Sequence, residues 1–335
     1  MKIMVTGGAG YIGTHTCVEL LQAGHEIVVV DNLSNSSEQA LARVRQLTGR
    51  DLDFVLADIR DETAMENVLR SHACEAVIHF AGLKSVGESV VEPLAYYDNN
   101  ISGTLAVLRA MMKSEVKHLV FSSSATVYGK PTFLPLTEHH SLSATNPYGR
   151  TKLVAEEMLR DFHRANPGYA ITLLRYFNPV GAHSSGRIGE DPVGVPNNLM
   201  PFIAQVAVGR RKSLNIWGDD YATRDGTGVR DYIHVVDLAL GHLKAVEEAV
   251  AGRCVAINLG TGTGHSVMEV IKSFERASGR SIPYEICPRR LGDVAECYAD
   301  AGLALELLGW QANRNLDDMC TDHWRWQEMN PGGYA

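Results

Sequence analysis

Short, unbroken apolar runs rich in Val and Ile recur through the first half of the chain, at 2–5, 26–31, 53–58, 76–80, 118–122 and 170–175. Runs of this length without polar alternation predict strands covered on both faces. Segments of helical length separate them, at 11–23, 104–113 and 147–165. Alternating strand and helix predicts a doubly wound α/β fold, a Rossmann-type parallel sheet with right-handed crossovers.

After residue 175 the rhythm fails. Residues 178–231 are rich in Gly, Pro, Asn and Asp, with one helical stretch over 198–210. A helix near 235–250 and a seventh strand at 256–259 resume the earlier pattern. Ser266 then reads as the N-cap of a further helix. The division expected is a nucleotide-binding domain over 1–177, rejoined by 232–259, and a smaller α/β domain built from 178–231 and 260–335.

Composition narrows the function. With 335 residues and 45% hydrophobic content the chain can bury a large core. The net charge of −8 is spread without a Lys/Arg-rich run, against a nucleic-acid partner. The six cysteines (Cys17, Cys74, Cys254, Cys287, Cys297, Cys320) include no C-x-x-C pair, which disfavours zinc and a disulfide framework. No stretch reads as a signal peptide or a membrane span. A cytoplasmic protein with no membrane partner is the expectation.

The first strand runs into Thr6-Gly7-Gly8-Ala9-Gly10-Tyr11-Ile12-Gly13 and then a helix. In that context Gly7, Gly10 and Gly13 serve a tight turn, close approach to a pyrophosphate, and close packing of helix on strand. The helix amino end presents unpaired N–H groups to phosphate. Asp31 ends the second strand, where its carboxylate suits ribose hydroxyls and repels a 2′-phosphate, so NAD is favoured over NADP. Asp58, ending the third run, suits adenine or is a solvated turn carboxylate.

Tyr148 and Lys152 form Y-x-x-x-K on one face of a helix. A nearby ammonium and a positive nicotinamide ring would draw the phenol down from about 10 towards a working base. Ser124 ends the fifth strand at the carboxyl edge of the sheet, where ligands of such folds bind. Either pair alone could be surface decoration. Together with the glycine loop they read as the catalytic set for hydride transfer at a carbinol carbon.

Gly7-x-x-Gly10-x-x-Gly13, Ser124 and Tyr148-x-x-x-Lys152 resemble the extended short-chain dehydrogenase/reductases. Within them the chain is similar to UDP-glucose 4-epimerases from residue 2 to about 334. That similarity includes His79-Phe80-Ala81-Gly82-Leu83-Lys84, Tyr96-Tyr97-Asp98-Asn99-Asn100, Arg175-Tyr176-Phe177-Asn178-Pro179 and the 225–232 stretch. The resemblance implies NAD contacts from Tyr11, Ile12, Asp31, Asn32, Asn35, Ser36, Asp58, Ile59, Phe80, Ala81, Gly82, Lys84, Asn99 and Phe177, with Tyr148 and Lys152. It implies UDP-sugar contacts from Lys84, Ser124, Tyr148, Asn178, Asn198, Leu199, Asn215, Trp217, Arg230, Arg290, Asp293 and Cys297. It also implies a homodimer through helices near 97–112 and 148–165.

A 4,6-dehydratase of the same superfamily usually carries an acid just after the catalytic Ser/Thr, whereas Ala125-Thr126 stands here. A catalytically dead NAD-binding scaffold conflicts with an intact Ser124, Tyr148 and Lys152. The thirteen histidines are scattered, and His139-His140 reads as a solvated loop rather than a metal site.

Overall fold

A computed structural model describes every residue except Val193, Leu291 and Ala335. The chain runs β1 Lys2–Thr6, α1 Tyr11–Gln22, β2 Glu26–Asp31, α2 Glu38–Thr48, β3 Asp53–Leu56, α3 Glu62–Ser71, β4 Ala76–His79, α4 Val86–Val91 and α5 Pro93–Tyr97. A π-helical turn, Asp98–Ser102, leads into α6 Gly103–Lys113; β5 His118–Ser124, α7 Pro147–Ala165, β6 Ala170–Tyr176 and β7 Asn178–Val180 follow. Then come α8 Leu199–Ala207, β8 Leu214–Trp217, β9 Val229–His234, α9 Val235–Glu247, β10 Cys254–Leu259 and β11 Gly264–Ser266. The last elements are α10 Val267–Ser278, β12 Tyr284–Cys287, β13 Glu296–Cys297, α11 Gly302–Leu308 and α12 Leu316–Met329.

Seven parallel strands form the main sheet in the order β10-β6-β5-β4-β1-β2-β3. The order reverses at β1, and the carboxyl ends of β1 and β4 open the crevice in which such folds bind ligands. The apolar runs became buried strands because helices cover both faces: Ile3, Val5, Ile27 and Val29 sit in one core, Met4, Val28, Val77 and Leu119 in the other. A smaller sheet joins β11, β9 and β13, with β7 on β9, and β12 pairs β8. Residues 231 and 232 both lie within β9, so the expected boundary there cuts a strand.

The differences from expectation are local. Strand β5 ends at Ser124 as expected, with Ser122–Ser124 in register with Leu174–Tyr176 of β6, but other bounds move. Strand β3 stops at Leu56, so Asp58 lies beyond it. Helices α8 and α9 are shorter than the stretches 198–210 and 235–250. Ser266 does cap α10, in a capping box with Glu269. His140 is buried rather than solvated, with Nε2 accepting from Thr132 N at 3.0 Å.

A buried polar network ties α7 to the sheet. Arg175 on β6 forks onto Glu156 on α7, with Nε to Oε1 at 2.9 Å and Nη2 to Oε2 at 2.6 Å. Both side chains are 1% exposed. Ser123 donates to Glu156 at 2.5 Å, and Arg175 Nη1 donates to the Tyr128 hydroxyl at 3.0 Å. Removing one partner strands the other charge in a dry site. Arg175→Met is therefore expected to cost about 3–5 kcal/mol of folding stability, with the Glu156→Gln/Arg175→Met pair recovering much of it. Urea unfolding of the three proteins checks this, and a cost under about 1 kcal/mol for the single variant would contradict it.

Candidate active site

The glycine loop joins β1 to α1 at the crevice. Gly7 adopts φ +70°, and a Cβ there would lie 2.6 Å from Ala81 N. A Cβ on Gly13 would lie 2.4 Å from Gly7 O. Side chains at either position would push the loop off the neighbouring backbone. Gly10 stands at the N-cap of α1 and offers no side-chain cap. The first-turn N–H groups, including those of Tyr11 and Ile12, are left for a ligand.

Asp31 is buried and holds the loop together. Its carboxylate accepts from Ala9 N at 3.0 Å, Leu33 N at 2.9 Å and the Ser36 hydroxyl at 2.9 Å. Asn32 and Asn35 are exposed beside it. Asp58 is gripped by Arg60 through backbone N–H and guanidinium, which holds its carboxyl far below the usual range, and Asn32 donates to it at 3.2 Å. Ile59 is buried against the start of α6.

The loop after β4 carries Phe80, Ala81, Gly82 and Lys84. Phe80 lies 4.6 Å from the His242 ring. Asn100, in the π-helical turn beside Asn99, pins this loop. Its Oδ1 accepts from Leu83 N at 2.8 Å, and Nδ2 donates to Leu83 O and to the Thr151 hydroxyl, each at 3.0 Å. The sequence reading quoted Asn100 in a motif but gave it no role. Its burial and its place in a π turn, a feature frequent at functional sites, become visible only in the structure.

Ser124, Tyr148 and Lys152 converge from β5 and α7. Asn146 caps α7 by accepting from Gly149 N at 2.8 Å, and Pro147 opens its first turn. Gly149 lets the helix start press on the turn after Ser124, since a Cβ would be 3.0 Å from Thr126 O. Thr126 Oγ1 donates to Ser124 Oγ at 2.9 Å, in the region where a dehydratase-type acid was sought. Phe177 is buried at the end of β6, packed with Leu153, Val127 and Tyr128.

The electrostatics differ from expectation. Burial raises the Tyr148 phenol, opposed by the Ser124 hydroxyl. The Lys152 Nζ turns to the sheet and donates to Ser122 O at 2.7 Å. Burial depresses the Lys152 amine to about 8, opposed by Glu156.

The second cluster lies on the smaller sheet. Arg230 on β9 donates to Asp293 at 2.5 Å, and Arg290 donates to the other Asp293 oxygen at 3.3 Å. The Arg290 guanidinium is 5.8 Å from the centre of the Trp217 ring. Asn215 and Trp217 share the exposed face of β8. Leu291, inside the 288–293 motif, lies outside the described residues. Cys297 on β13 pairs with Arg230 and packs on the cluster containing Phe177. Burial pushes its thiol up to about 11.

Asn178 lies on β7, and Asn198 and Leu199 open α8. Asn198 Nδ2 and Lys84 Nζ both reach Glu190, a residue the sequence reading missed. Among the described residues no group of three or more His, Cys, Asp or Glu is placed to hold a metal. No helix among them is long and apolar enough to cross a membrane.

The profile of the GDP-mannose 4,6 dehydratase family matches residues 4–323. That match, with this fold and the Ser-Tyr-Lys set, places the chain among the extended short-chain dehydrogenase/reductases. The UDP-glucose 4-epimerase of Bacillus subtilis (strain 168) is 60% identical over 335 residues, spanning 100% of this chain and 99% of its own. The mouse UDP-glucose 4-epimerase is 57% identical, spanning 100% and 99%. The crystal structure of UDP-glucose 4-epimerase from Bifidobacterium longum in complex with NAD+ and UDP has a TM-score of 0.97 at 54% identity, covering 99% of this chain and 100% of that one. A structure from Stenotrophomonas maltophila with NAD and formylated UDP-arabinopyranose has a TM-score of 0.97 at 53% identity, covering 99% of each chain. The chain belongs to the UDP-glucose 4-epimerase family.

The depressed Lys152 amine gives a pH signature. Between pH 8 and 10.5 the unfolded chain keeps a proton that the folded chain has shed, so this group favours folding increasingly as pH rises through that window. In urea melts of ligand-free protein, the wild type is expected to gain stability relative to Lys152→Met over that range. Parallel curves would show that the amine ionises as it does in water.

Proposed function

We propose that the chain interconverts UDP-glucose and UDP-galactose by redox chemistry at sugar C4, using bound NAD. The observation that carries this reading is the convergence of Ser124, Tyr148 and Lys152 beside an uncapped glycine-loop helix. Full-length identity to UDP-glucose 4-epimerases supports it.

The residues present suit NAD. The first-turn N–H groups of α1 would take the pyrophosphate, and the Asp31 carboxylate a ribose. Phe80, Lys84, Asn99, Lys152 and Phe177 would line the remainder of the cofactor. When bound, NAD supplies a hydride acceptor at C4 that becomes the donor in the return step, and its positive ring favours the Tyr148 phenolate.

The chain's own groups do the rest. Tyr148 Oη takes the proton of the C4 hydroxyl and gives it back, while Ser124 Oγ hydrogen-bonds that oxygen. Arg230 and Arg290 hold the diphosphate, and Trp217 offers its face to uracil. Asp293 orders both arginines, and Asn178, Asn198, Leu199 and Asn215 complete the nucleotide pocket. Inverting C4 requires the sugar to turn over between the two hydride steps, so the UDP must be held firmly and the sugar loosely.

Two finer features belong to the same reading. A homodimer is supported by the apolar face of α4 and α5, where Val90, Val91 and Leu94 are 63%, 75% and 81% exposed beside α7. A reducing, cytoplasmic setting is supported by six free cysteines.

Cys297 bears on substrate breadth. Its small side chain leaves space next to the sugar, whereas a tyrosine would confront an N-acetyl group at a cost of about 1–3 kcal/mol. The reading therefore extends to UDP-GlcNAc and UDP-GalNAc.

Purified protein is expected to sediment as a dimer, release NAD on denaturation, and convert UDP-galactose without added cofactor. Tyr148→Phe should lower kcat about 10²–10⁴-fold with a much smaller change in KM. No conversion by the wild type, or near-normal kcat in the variant, would refute the assignment. Cys297→Tyr should lose the acetamido pair and keep UDP-galactose turnover. Equal handling of both pairs by that variant would remove Cys297 from specificity.

A further inference from the structure

Glu190 occupies a costly position between the loop after β4 and the start of α8. Its side chain is 4% exposed. Oε1 accepts from Lys84 Nζ at 3.2 Å and from Asn198 Nδ2 at 3.1 Å. Oε2 is buried and has no hydrogen-bond partner among the described residues. A half-satisfied buried carboxylate is destabilising on its own account.

The backbone prevents Glu190 from escaping this setting. Its carbonyl accepts from Trp326 Nε1 at 3.2 Å. Gly189 lies so close to the Trp326 ring that a Cβ would come within 2.3 Å of it. A second cost falls on Asn198, which stands at the N-cap of α8 yet makes no capping bond with its side chain. Asparagine there would ordinarily stabilise the helix. Instead its amide is drawn to the carboxylate, leaving Oδ1 as its remaining side-chain polar atom.

The two donors come from opposite sides of the cleft. Lys84 leaves the main sheet on the loop after β4, and Asn198 opens α8 beside the smaller sheet. We propose that Glu190 is a positioning residue that holds Lys84 and Asn198 in one cluster and thereby couples the grip on NAD to the grip on the UDP-sugar. This inference rests on the proposed function, in which Lys84 faces NAD and Asn198 faces the sugar nucleotide. The carboxylate neutralises the Lys84 ammonium from behind and fixes both side chains before ligand arrives, so less ordering remains for binding to supply.

Glu190→Gln keeps the shape and removes the charge. The NAD-loaded protein would be examined by calorimetric titration with UDP, by the rate of NAD release on gel filtration, and by its unfolding midpoint. UDP affinity is expected to fall about tenfold and NAD to leave faster, with the unfolding midpoint within a few degrees of wild type. Coupling supplies the second readout. Asn198→Ala should weaken UDP about tenfold in the wild type but less than about twofold in Glu190→Gln, and Lys84→Met should hasten NAD release only where Glu190 is intact. A variant that unfolds earlier yet binds UDP and holds NAD like the wild type would overturn the proposal, as would full additivity in both cycles. Failure of the wild type to bind either ligand would instead overturn the proposed function on which it rests.

Discussion

The ion pair between Glu156 and Arg175 joins the helix that carries Tyr148 and Lys152 to β6, and Ser123 extends the junction to β5, the strand that ends in Ser124. Everything at the catalytic end depends on that junction. A helix can slide on a sheet when only apolar side chains meet, because dispersion and burial have no strong direction. A forked, fully buried guanidinium–carboxylate contact has a single good geometry, and the Ser123 hydroxyl fixes the remaining freedom. Glu156 also faces Lys152 one turn away, where its charge offsets part of the burial that would otherwise discharge the amine. Packing and acid–base character are thus set by the same carboxylate.

A second constraint works at the cofactor side. The glycine loop can approach a pyrophosphate only because backbone occupies the space in which side chains would stand, against Ala81 at Gly7 and against Gly7 at Gly13. Asp31 then serves two purposes. Its oxygens hold the loop through Ala9, Leu33 and Ser36 before any ribose arrives. Asn100 does comparable work on the facing loop, tying Leu83 to Thr151 of the catalytic helix. The two walls of the crevice are therefore prearranged by internal hydrogen bonds, and binding does not have to supply that order.

The smaller sheet follows a different logic. Arg230 and Arg290 would repel one another at close range, and Asp293 between them makes their joint placement possible. A diphosphate would meet two guanidinium groups already oriented by that shared carboxylate. A nucleotide held in that way would leave the sugar free to turn, which suits a reaction that must present both faces of C4 to one cofactor.

The order of apolar runs and the spacing of Gly7, Gly10, Gly13, Ser124, Tyr148 and Lys152 were enough to determine the doubly wound sheet and the edge at which those side chains gather. Continuous Val/Ile runs have one good burial, and the phosphate turn and the helix face are local geometry, so both survive without knowledge of the rest of the chain. Tertiary structure alone decided the directions in which burial shifts Tyr148 and Lys152, and the burial of His140. It also decided the contacts of Asn100, Glu156 and Glu190. Partners distant in sequence matter most here: Lys84 lies 106 residues from Glu190, and Thr151 lies 51 residues from Asn100. Desolvation and long-range hydrogen bonds exist only once the sheets are packed, and linear spacing carries no record of them.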